Sequence, residues 1–470
     1  NVLTAHELQA RLLPLAALQV TAMLVAGLAG VVAYRLLSVF HGVRAGTAAG
    51  VFVALGSPVA FWAPVPKRHV FTVLLVLVTL YGVARSRSAD GGSARLGPTG
   101  HRALAYVAVG LLTWIHAAEG LALFLALVVV DVPTAHANDR GTLAIVGGAF
   151  LVSMLPFVLT NLAISGNPIK PPRMFSPYID PGPAFPSADG GAGSGGGAGG
   201  GGLGGGGIQI PGIEYASALG DEIAGRYLSG YAAIVQDPGR VAQTIGSSHE
   251  VAGAGGRGIE HAANFSILEV APILGALLAV PVLAVRRIRR GVELRGLLTP
   301  VDGVALLFAV MVVGLFQNHL PLRGQYTVRY LLPLFVVGGY SLLRLGVLRR
   351  LLQSHGRTAG LAAIGTTVLG TPGLLVLVAT FGLTSAGALE TQSALNLLVA
   401  GAVALLSVGA VLDERFDGLA AAGLGVAVGA TVVYVLLTGL VHFHTAPHAL
   451  GIVNDAMEAV RLALVRATIG

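Results

Sequence analysis

Apolar residues run along most of this chain in long stretches that polar clusters interrupt. The long apolar segments lie near 12–34, 45–63, 69–84, 141–161, 264–284, 299–318, 330–347, 359–383, 392–412 and 418–441. A helix needs about 20 apolar residues to cross about 30 Å of hydrocarbon. Strict alternation of apolar and polar residues, which a transmembrane barrel requires, is not sustained over any long stretch. The pattern predicts an all-α polytopic membrane protein with about ten transmembrane helices.

The segment 103–131 has a different pattern. Its 29 residues are too many for one straight span, and Thr113, His116 and Glu119 interrupt its middle. We interpret it as a short helical hairpin with arms of about 13 residues, each about 20 Å long. This interpretation places His116 and Glu119 within the membrane.

Composition supports the membrane assignment. Of 470 residues, 54% are hydrophobic and 11% are charged, whereas soluble domains carry about 25% charged residues. Cysteine is absent, which excludes disulfides, thiolate metal sites and a cysteine nucleophile. The basic residues are nearly all arginine, and no aromatic-rich basic stripe indicates a nucleic-acid surface. Membrane lipids are therefore the expected partners, and an arginine-dominated, Ala/Gly/Val-rich chain is typical of a GC-rich prokaryote.

Loop charges predict the orientation, because short basic loops stay cytoplasmic. Seventeen arginines, clustered at 35–44, 85–102, 286–295 and 344–357 with Arg140 and Arg415, fall on one side. The short segments on the other side hold seven basic residues, namely Arg11, Lys67, Arg68, Arg323, Arg329, Arg461 and Arg466. Each span carries the chain to the other side of the membrane, whereas the hairpin enters and leaves on the cytoplasmic side. This order places the loop 162–263 and the first residues of the chain outside the cell membrane. We therefore expect one further span before Asn1.

The chain divides into four parts. Residues 1–161 form an N-terminal membrane half, and 162–263 form one long extracytoplasmic loop. That loop holds a Gly-rich linker at 190–207 and a stretch at 211–245 with the spacing expected of one or two short surface helices. Residues 264–441 are the C-terminal membrane helices, and 442–470 form an amphipathic tail at the outer interface.

Ionisable residues at membrane depth are costly and usually face a cavity, so Glu119, His116 and Glu269 are the catalytic candidates. The alternative is that neighbouring helices satisfy them as buried polar residues. No metal site is predicted, because the three histidines between Val441 and His448 have no acidic partner nearby.

Two outer segments carry the cations that a phosphate ligand requires. One holds Lys67, Arg68 and His69, and the other holds Arg323, Tyr326 and Arg329. Lys and Arg hold phosphate through charge-assisted hydrogen bonds. Arginines on the outer side oppose the charge bias, which favours a function for them over simple anchoring of a helix end. Snorkelling at the interface is the alternative for the first segment.

The order of these features resembles the GT-C membrane glycosyltransferases, which include protein O-mannosyltransferases and the lipid A aminoarabinose transferases. The similarity covers roughly residues 12–350. The run Gly110-Leu-Leu-Thr-Trp-Ile-His-Ala-Ala-Glu-Gly120 is similar to the family's short hairpin, and Asn161 to Pro168 resembles its exit into a long loop. Ala33 to Gly50, Leu55 to Trp62, Lys67 to Ala84 and Arg329-Tyr-Leu-Leu-Pro333 complete the series.

The resemblance implies a sugar transferred from a polyprenyl-phosphate donor to a lipid-linked or protein acceptor on the outer face of the cell membrane. It implies direct displacement at the anomeric carbon, with a carboxylate as general base. In that family the carboxylate usually lies in the first outer loop, which we expect to precede Asn1. The resemblance assigns Lys67, Arg68, Arg323 and Arg329 to the donor phosphate, and a divalent metal ion remains an open alternative as cofactor. A transporter or flippase for an anionic or lipid-linked substrate is the alternative function.

Overall fold

The computed structural model describes residues 5–88, 96–168, 213–246, 266–290, 298–317, 320 and 327–442, with 451, 452, 454–456, 458, 459 and 462 near the end. In these ranges the regular secondary structure is helical throughout. Within this part of the chain, seven helical segments are long and apolar enough to cross a membrane, and Pro300–Phe316 is a shorter apolar helix. The prediction of an all-α, multi-pass membrane protein is confirmed.

Nine helices lie in the described residues of the N-terminal half and the following loop. They are α1 (Ala5–Leu55), α2 (Val59–Trp62), α3 (His69–Arg87), α4 (Gly97–Ile115), α5 (Ala117–Thr134), α6 (Arg140–Ser153), α7 (Leu155–Ser165), α8 (Ile213–Gln236) and α9 (Pro238–Ile245). The sequence predicts one or two short helices within 211–245, and the structure has α8 and α9 there. The Gly-rich linker 190–207 lies outside the described residues.

The C-terminal half follows with α10 (Ile267–Val270), a 3-10 turn (Pro272–Leu278), α11 (Ala279–Arg289), α12 (Pro300–Phe316), a 3-10 turn (Thr327–Leu331) and α13 (Leu332–Arg344). Three long helices then complete the chain as far as His442, namely α14 (Gly346–Phe381), α15 (Ser385–Leu412) and α16 (Asp417–His442). Most of the predicted tail at 442–470 is outside the described residues.

Several predicted spans differ from the observed helices. The span predicted at 12–34 and the first part of the span predicted at 45–63 lie in one helical segment, which has a break at Gly42, where φ is 78°. The span predicted at 264–284 is divided among α10, a 3-10 turn and α11. Pro272 explains part of this division, because proline has no N–H to donate to the helical ladder.

The predicted hairpin is present as α4 and α5, with an extended residue, His116, between them at φ −156°. Its arms are 19 and 18 residues long, so the expected arms of about 13 residues were too short. The hydropathy pattern places the ends of the hairpin at Arg102 and Asp131 because both residues are charged. In the structure they form an ion pair, with 2.7 Å between Arg102 Nε and Asp131 Oδ2, and the helices continue beyond them. Each arm is about 28 Å long.

Small residues allow the hairpin to pack closely. A Cβ on Gly82 of α3 would lie 2.7 Å from the carbonyl oxygen of His101 in α4. A Cβ on Gly120 would lie 2.6 Å from the Cα of Thr113 in the opposite arm. Close approach at small residues is a common basis of helix packing in membranes. These contacts bring the start of α4 close to α3 and bring the two arms of the hairpin close together near its turn.

Helices α12 and α13 complete the framework around that turn. The side chains of Phe308 in α12 and Phe335 in α13 are fully buried in the core. The end of α12 at Phe316 and the start of α13 at Tyr330 meet, with their rings 5.2 Å apart. The hairpin turn and the start of α3 lie against this pair of aromatic residues.

Candidate functional site

A buried carboxylate lies at the hairpin turn. The Oε1 atom of Glu119 accepts a hydrogen bond from Arg68 Nη1 at 2.7 Å, and Oε2 accepts one from Thr72 Oγ1 at 2.9 Å. The Glu119 side chain is 2% exposed, whereas that of Arg68 is 26% exposed. Arg68 and Thr72 are one helical turn apart at the start of α3, which explains how both reach the same carboxylate.

His116 orients the first turn of α5. Its Nδ1 accepts a hydrogen bond from the backbone N–H of Glu119 at 3.3 Å, as a side chain at the start of a helix does for an otherwise unpaired donor. The imidazole stacks on Phe316, with centroids 6.4 Å apart and planes at 30°. His116 therefore couples the hairpin turn to the end of α12.

Two further cations lie beside this pair. The Nζ of Lys67 lies 5.9 Å from the centre of the Trp62 ring. The guanidinium of Arg329 lies 4.7 Å above the Tyr330 ring, and its Nη2 donates a hydrogen bond to the Tyr330 hydroxyl at 2.9 Å. Burial and the neighbouring charge of Arg329 lower the pKa of Lys67. The two cations thus repel each other.

His69 packs between aromatic rings. Its ring contacts Trp62 at 5.6 Å and Tyr330 at 5.9 Å between centroids, both edge-to-face. The side chain is buried. Its surroundings give His69 a role in packing and make direct contact with a phosphate unfavourable.

Five of the residues that the sequence analysis singles out therefore lie near one another in the structure. We call Lys67, Arg68, His116, Glu119 and Arg329 the Glu119 site. Arg323 and Tyr326, the other two predicted phosphate ligands, lie outside the described residues.

Glu269 lies elsewhere. It forms a capping box with Ser266, whose backbone N–H donates to Glu269 Oε2 at 2.6 Å. Its backbone carbonyl accepts a hydrogen bond from Asn396 of α15 at 2.5 Å. These contacts give Glu269 a structural role at the start of α10, and none of its described hydrogen bonds joins it to the Glu119 site.

Sequence reasoning missed three parts of the Glu119 site. Thr72 could have been found from its spacing of four residues from Arg68 on one helix face. Phe316 and Tyr330 belong to apolar or interfacial segments, and nothing in the sequence distinguishes them from other residues of those segments. Their positions depend on α12 and α13 packing against the hairpin.

A second buried carboxylate was also missed. Asp131 Oδ1 accepts from Arg87 Nη2 at 2.7 Å, and Oδ2 accepts from Arg102 Nε at 2.7 Å and from the Tyr106 hydroxyl at 3.0 Å. Arg102 also donates to the carbonyl of Ala137 at 2.8 Å. We call these four side chains the Asp131 cluster. Arg87 and Arg102, counted above as topological charges, are thus part of a buried network.

The Glu119 site and the Asp131 cluster lie at opposite ends of α5. The 12 residues between the two carboxylates correspond to about 18 Å along the helix axis. Among the described residues, no group of three or more histidine, aspartate or glutamate side chains is arranged to hold a metal ion.

The fold and the site together define a multi-pass helical membrane protein with an excess of positive charge around one buried carboxylate at the end of a helical hairpin. No protein family model matches the chain. No curated protein matches it either.

One solved structure is similar, the crystal structure of ArnT from Cupriavidus metallidurans in the apo state. The sequence identity is 15% and the TM-score is 0.38, over 90% of this chain. The match spans 62% of the length of that structure.

Proposed function

We propose that this protein is a membrane glycosyltransferase of the GT-C type that takes a sugar from a polyprenyl-phosphate donor. The observation that carries the proposal is the convergence of three separate segments. Lys67 to Ala84, Gly110 to Gly120 and Arg329 to Pro333, three of the runs that carry the resemblance, meet around Glu119. Segments more than 200 residues apart thus supply one site.

The charge of this site suits a phosphate at a membrane interface. The site has three cations, namely Lys67, Arg68 and Arg329. Glu119 neutralises the charge of Arg68, to which it is bound at 2.7 Å. Lys67 is exposed, and its ammonium group makes no hydrogen bond or ion pair with any described residue. Its repulsion by Arg329 would be relieved by an anion between them. A phosphate monoester or diester supplies oxygen acceptors for both cations.

In the proposed reaction an acceptor hydroxyl attacks the anomeric carbon of the donor. The new bond joins the acceptor oxygen to this carbon, the bond from the carbon to the phosphate oxygen breaks, and the hydroxyl proton passes to a general base. The leaving polyprenyl phosphate gains negative charge, which Lys67 and Arg329 stabilise in the transition state. This arrangement lowers the barrier because the cations are already in place.

Glu119 acts in this proposal as a positioning residue. Both of its oxygens are paired, one with Arg68 and one with Thr72. A carboxylate bound in this way is a weak base, since both partners stabilise its charged form. Its contribution is to hold the Arg68 guanidinium at the edge of the site.

Sugar transfer in membranes tests the proposal. Membranes containing the full chain would receive a radiolabelled polyprenyl-phosphate sugar, and label in lipid-linked and protein fractions would be followed. Arg329→Ala is expected to reduce transfer about 100-fold, because a charge-assisted contact in a transition state is worth about 3 kcal/mol. Arg357→Ala is the matched control, since Arg357 is exposed on α14 and its loss should leave transfer unchanged. Equal transfer by wild type and Arg329→Ala would contradict the proposal.

A flippase for an anionic lipid is the second candidate. Cationic groups lie at both ends of α12 and α13, with Arg329 beside the start of α13 and Arg344 at its end. The same labelled lipid separates the two candidates. A flippase would move it between the leaflets of reconstituted vesicles, as measured by its accessibility to a membrane-impermeant reagent, and would release no sugar.

A further inference from the structure

A cavity of about 790 Å³ lies between the ends of α11, α13, α14 and α15. Its wall includes Asp302 and Arg344, which lie 14 residues along the chain from Phe316 and Tyr330 of the Glu119 region. Fourteen helical residues correspond to about 21 Å. The cavity is therefore at the opposite end of α12 and α13, on the side that the arginine distribution predicts to be cytoplasmic. We call it the arginine cavity.

The arginine cavity has more cations than carboxylates. Its lining includes Arg286, Arg287, Arg290, Arg344, Arg349 and Arg350. The carboxylates in the lining are Asp302, Asp413 and Glu414. Asp302 binds Arg344 with Nη2–Oδ2 of 2.9 Å, and Arg350 binds Asp417 at 2.8 Å and Glu414 at 3.3 Å.

The remaining four arginines have little to balance them. Arg286 donates to the backbone carbonyl of Val411, and Arg287, Arg290 and Arg349 form no ion pair with any described residue. Asp413, on the rim, lies near the exposed Arg415 at 3.9 Å. Three adjacent cations without carboxylate partners favour binding of an anion.

His41 shows that the polar contacts in the cavity are incomplete. Its Nε2 lies 3.1 Å from Arg344 Nη1, and its Nδ1 lies 3.1 Å from Arg349 Nη1. A neutral imidazole has one acceptor nitrogen, so only one of these two contacts is a hydrogen bond and the other brings two donors together. The Nε atom of Arg349 is buried and has no hydrogen-bond partner among the described residues. An anion oxygen beside Arg349 would supply the acceptor that is lacking.

The other wall of the cavity is apolar. It includes Val280, Leu283, Ala284, Leu298 and Leu306, from α11, α12 and the residues before α12. Leu298 is 66% exposed and Leu306 is 58% exposed. A ligand that fits both walls carries a phosphate at one end and an acyl chain at the other.

We infer that the arginine cavity binds the phosphate-bearing headgroup of an anionic membrane lipid, as a site separate from the Glu119 site. Arg287, Arg290 and Arg349 hold the phosphate oxygens, and the apolar wall contacts the first part of the acyl chains. The inference does not depend on the proposed function, because it concerns the opposite end of the helices.

Native mass spectrometry of the full chain in detergent tests the inference by titration with phosphatidic acid. We expect the double variant R287Q/R290Q to bind phosphatidic acid at least about tenfold more weakly, since hydrogen bonds to charged groups each contribute about one order of magnitude in affinity. R349Q is an independent second variant on a different helix and should weaken binding in the same direction. Thermal unfolding of each variant shows that it is folded.

Arg289 provides the matched control. It is exposed on α11 and does not line the cavity, so R289Q removes a positive charge from the same helix without changing the site. R289Q is expected to bind as wild type does, and the Glu119 site is intact in every variant. Equal weakening by R289Q, or no weakening by R287Q/R290Q and R349Q, would overturn the inference.

Two further titrations identify the chemical source of the phosphate. Phosphatidylcholine, whose headgroup carries no net charge, should bind at least about tenfold more weakly than phosphatidic acid. Inorganic phosphate should compete with phosphatidic acid only at much higher concentration, because it lacks the acyl chains that contact the apolar wall. Binding of inorganic phosphate as tightly as phosphatidic acid would assign the site to a soluble phosphate and overturn its assignment to a lipid.

Discussion

The two carboxylates of α5 differ in how completely their surroundings neutralise them. Asp131 is fully buried between Arg87 and Arg102, whose side chains are 12% and 4% exposed. Arg102, the second cation of that cluster, also donates hydrogen bonds to the carbonyl oxygen of Ala137 and to Asn138 Oδ1. Glu119 binds one arginine, and the cations around it contact aromatic rings.

The difference separates structure from function. Both carboxylate oxygens of Asp131 are paired inside this network, and a buried carboxylate paired in this way rigidifies the fold and has no free oxygen for a ligand. The Lys67 ammonium lies 5.9 Å from the centre of the Trp62 ring, and a cation–π contact at this distance leaves the ammonium able to donate hydrogen bonds to an anion. We therefore assign the Asp131 cluster to stability and the Glu119 site to ligand binding.

The largest effect is expected from D131N. The substitution leaves Arg87 and Arg102 buried without a carboxylate, and breaking a buried pair in this way costs about 3 to 5 kcal/mol. Thermal unfolding in detergent, followed by circular dichroism, should show a strongly lowered midpoint. D139N is the control, because Asp139 is exposed and caps α6 through Thr142, a role that asparagine also performs. Equal midpoints for D131N and D139N would contradict the structural role of the cluster.

An intermediate effect is expected from E119Q. Arg68 is partly exposed and can turn towards water when the carboxylate is lost, so the cost in stability should be about 1 to 2 kcal/mol. The same substitution leaves Arg68 without an orienting partner, and we expect the KM for a polyprenyl-phosphate sugar to change together with kcat. If E119Q lowers the unfolding midpoint as much as D131N does and leaves transfer kinetics unchanged, the two carboxylates have the same role and the comparison is wrong.

The smallest effect on stability is expected from K67Q. Lys67 is exposed and forms no ion pair with described residues, so the free energy of unfolding should change by less than about 0.5 kcal/mol. Binding of a polyprenyl phosphate, measured by isothermal titration in detergent, should weaken about tenfold. K67R keeps the positive charge and should retain most of the affinity. A K67Q protein that binds as tightly as wild type would remove Lys67 from the site.

The titration of Lys67 gives a further test. Burial and Arg329 lower its pKa in the free protein, so the side chain loses its proton at a lower pH than the ordinary lysine value of about 10.4. Affinity for a polyprenyl phosphate should therefore fall as pH rises through the lowered pKa, and a bound phosphate should raise that pKa again. K67R should shift this decline to higher pH, since arginine stays protonated. An identical pH profile for wild type and K67R would exclude Lys67 as its origin.

The sequence predicts the helical class, the hairpin and the neighbourhood of Lys67, Arg68, His116, Glu119 and Arg329. His116 and Glu119 stand out in the sequence because polar residues are rare in long apolar segments. Lys67, Arg68 and Arg329 stand out because they are cations at the ends of predicted helices on the outer side. The resemblance in motif order, which joins segments far apart in the chain, contributed the expectation that they form one site.

The remaining features depend on pairing in three dimensions. Arg102 and Asp131 were treated as the ends of the hairpin because single charges terminate an apolar run, yet together they neutralise each other inside the helices. Glu269 was a catalytic candidate because it is an acid near a span, and its neighbour Ser266 makes it a helix cap. The arginines that line the arginine cavity were counted only as charges that predict the topology. The sequence does not show that α11, α13 and α14 bring these arginines together.

The structure of the full chain with a bound polyprenyl phosphate, determined by cryo-electron microscopy, tests the central claim most directly. The account predicts the phosphate within about 3 Å of both Lys67 Nζ and the Arg329 guanidinium, with the Arg68–Glu119 pair retained beside it. A phosphate bound away from both cations would contradict the assignment of the Glu119 site to the donor.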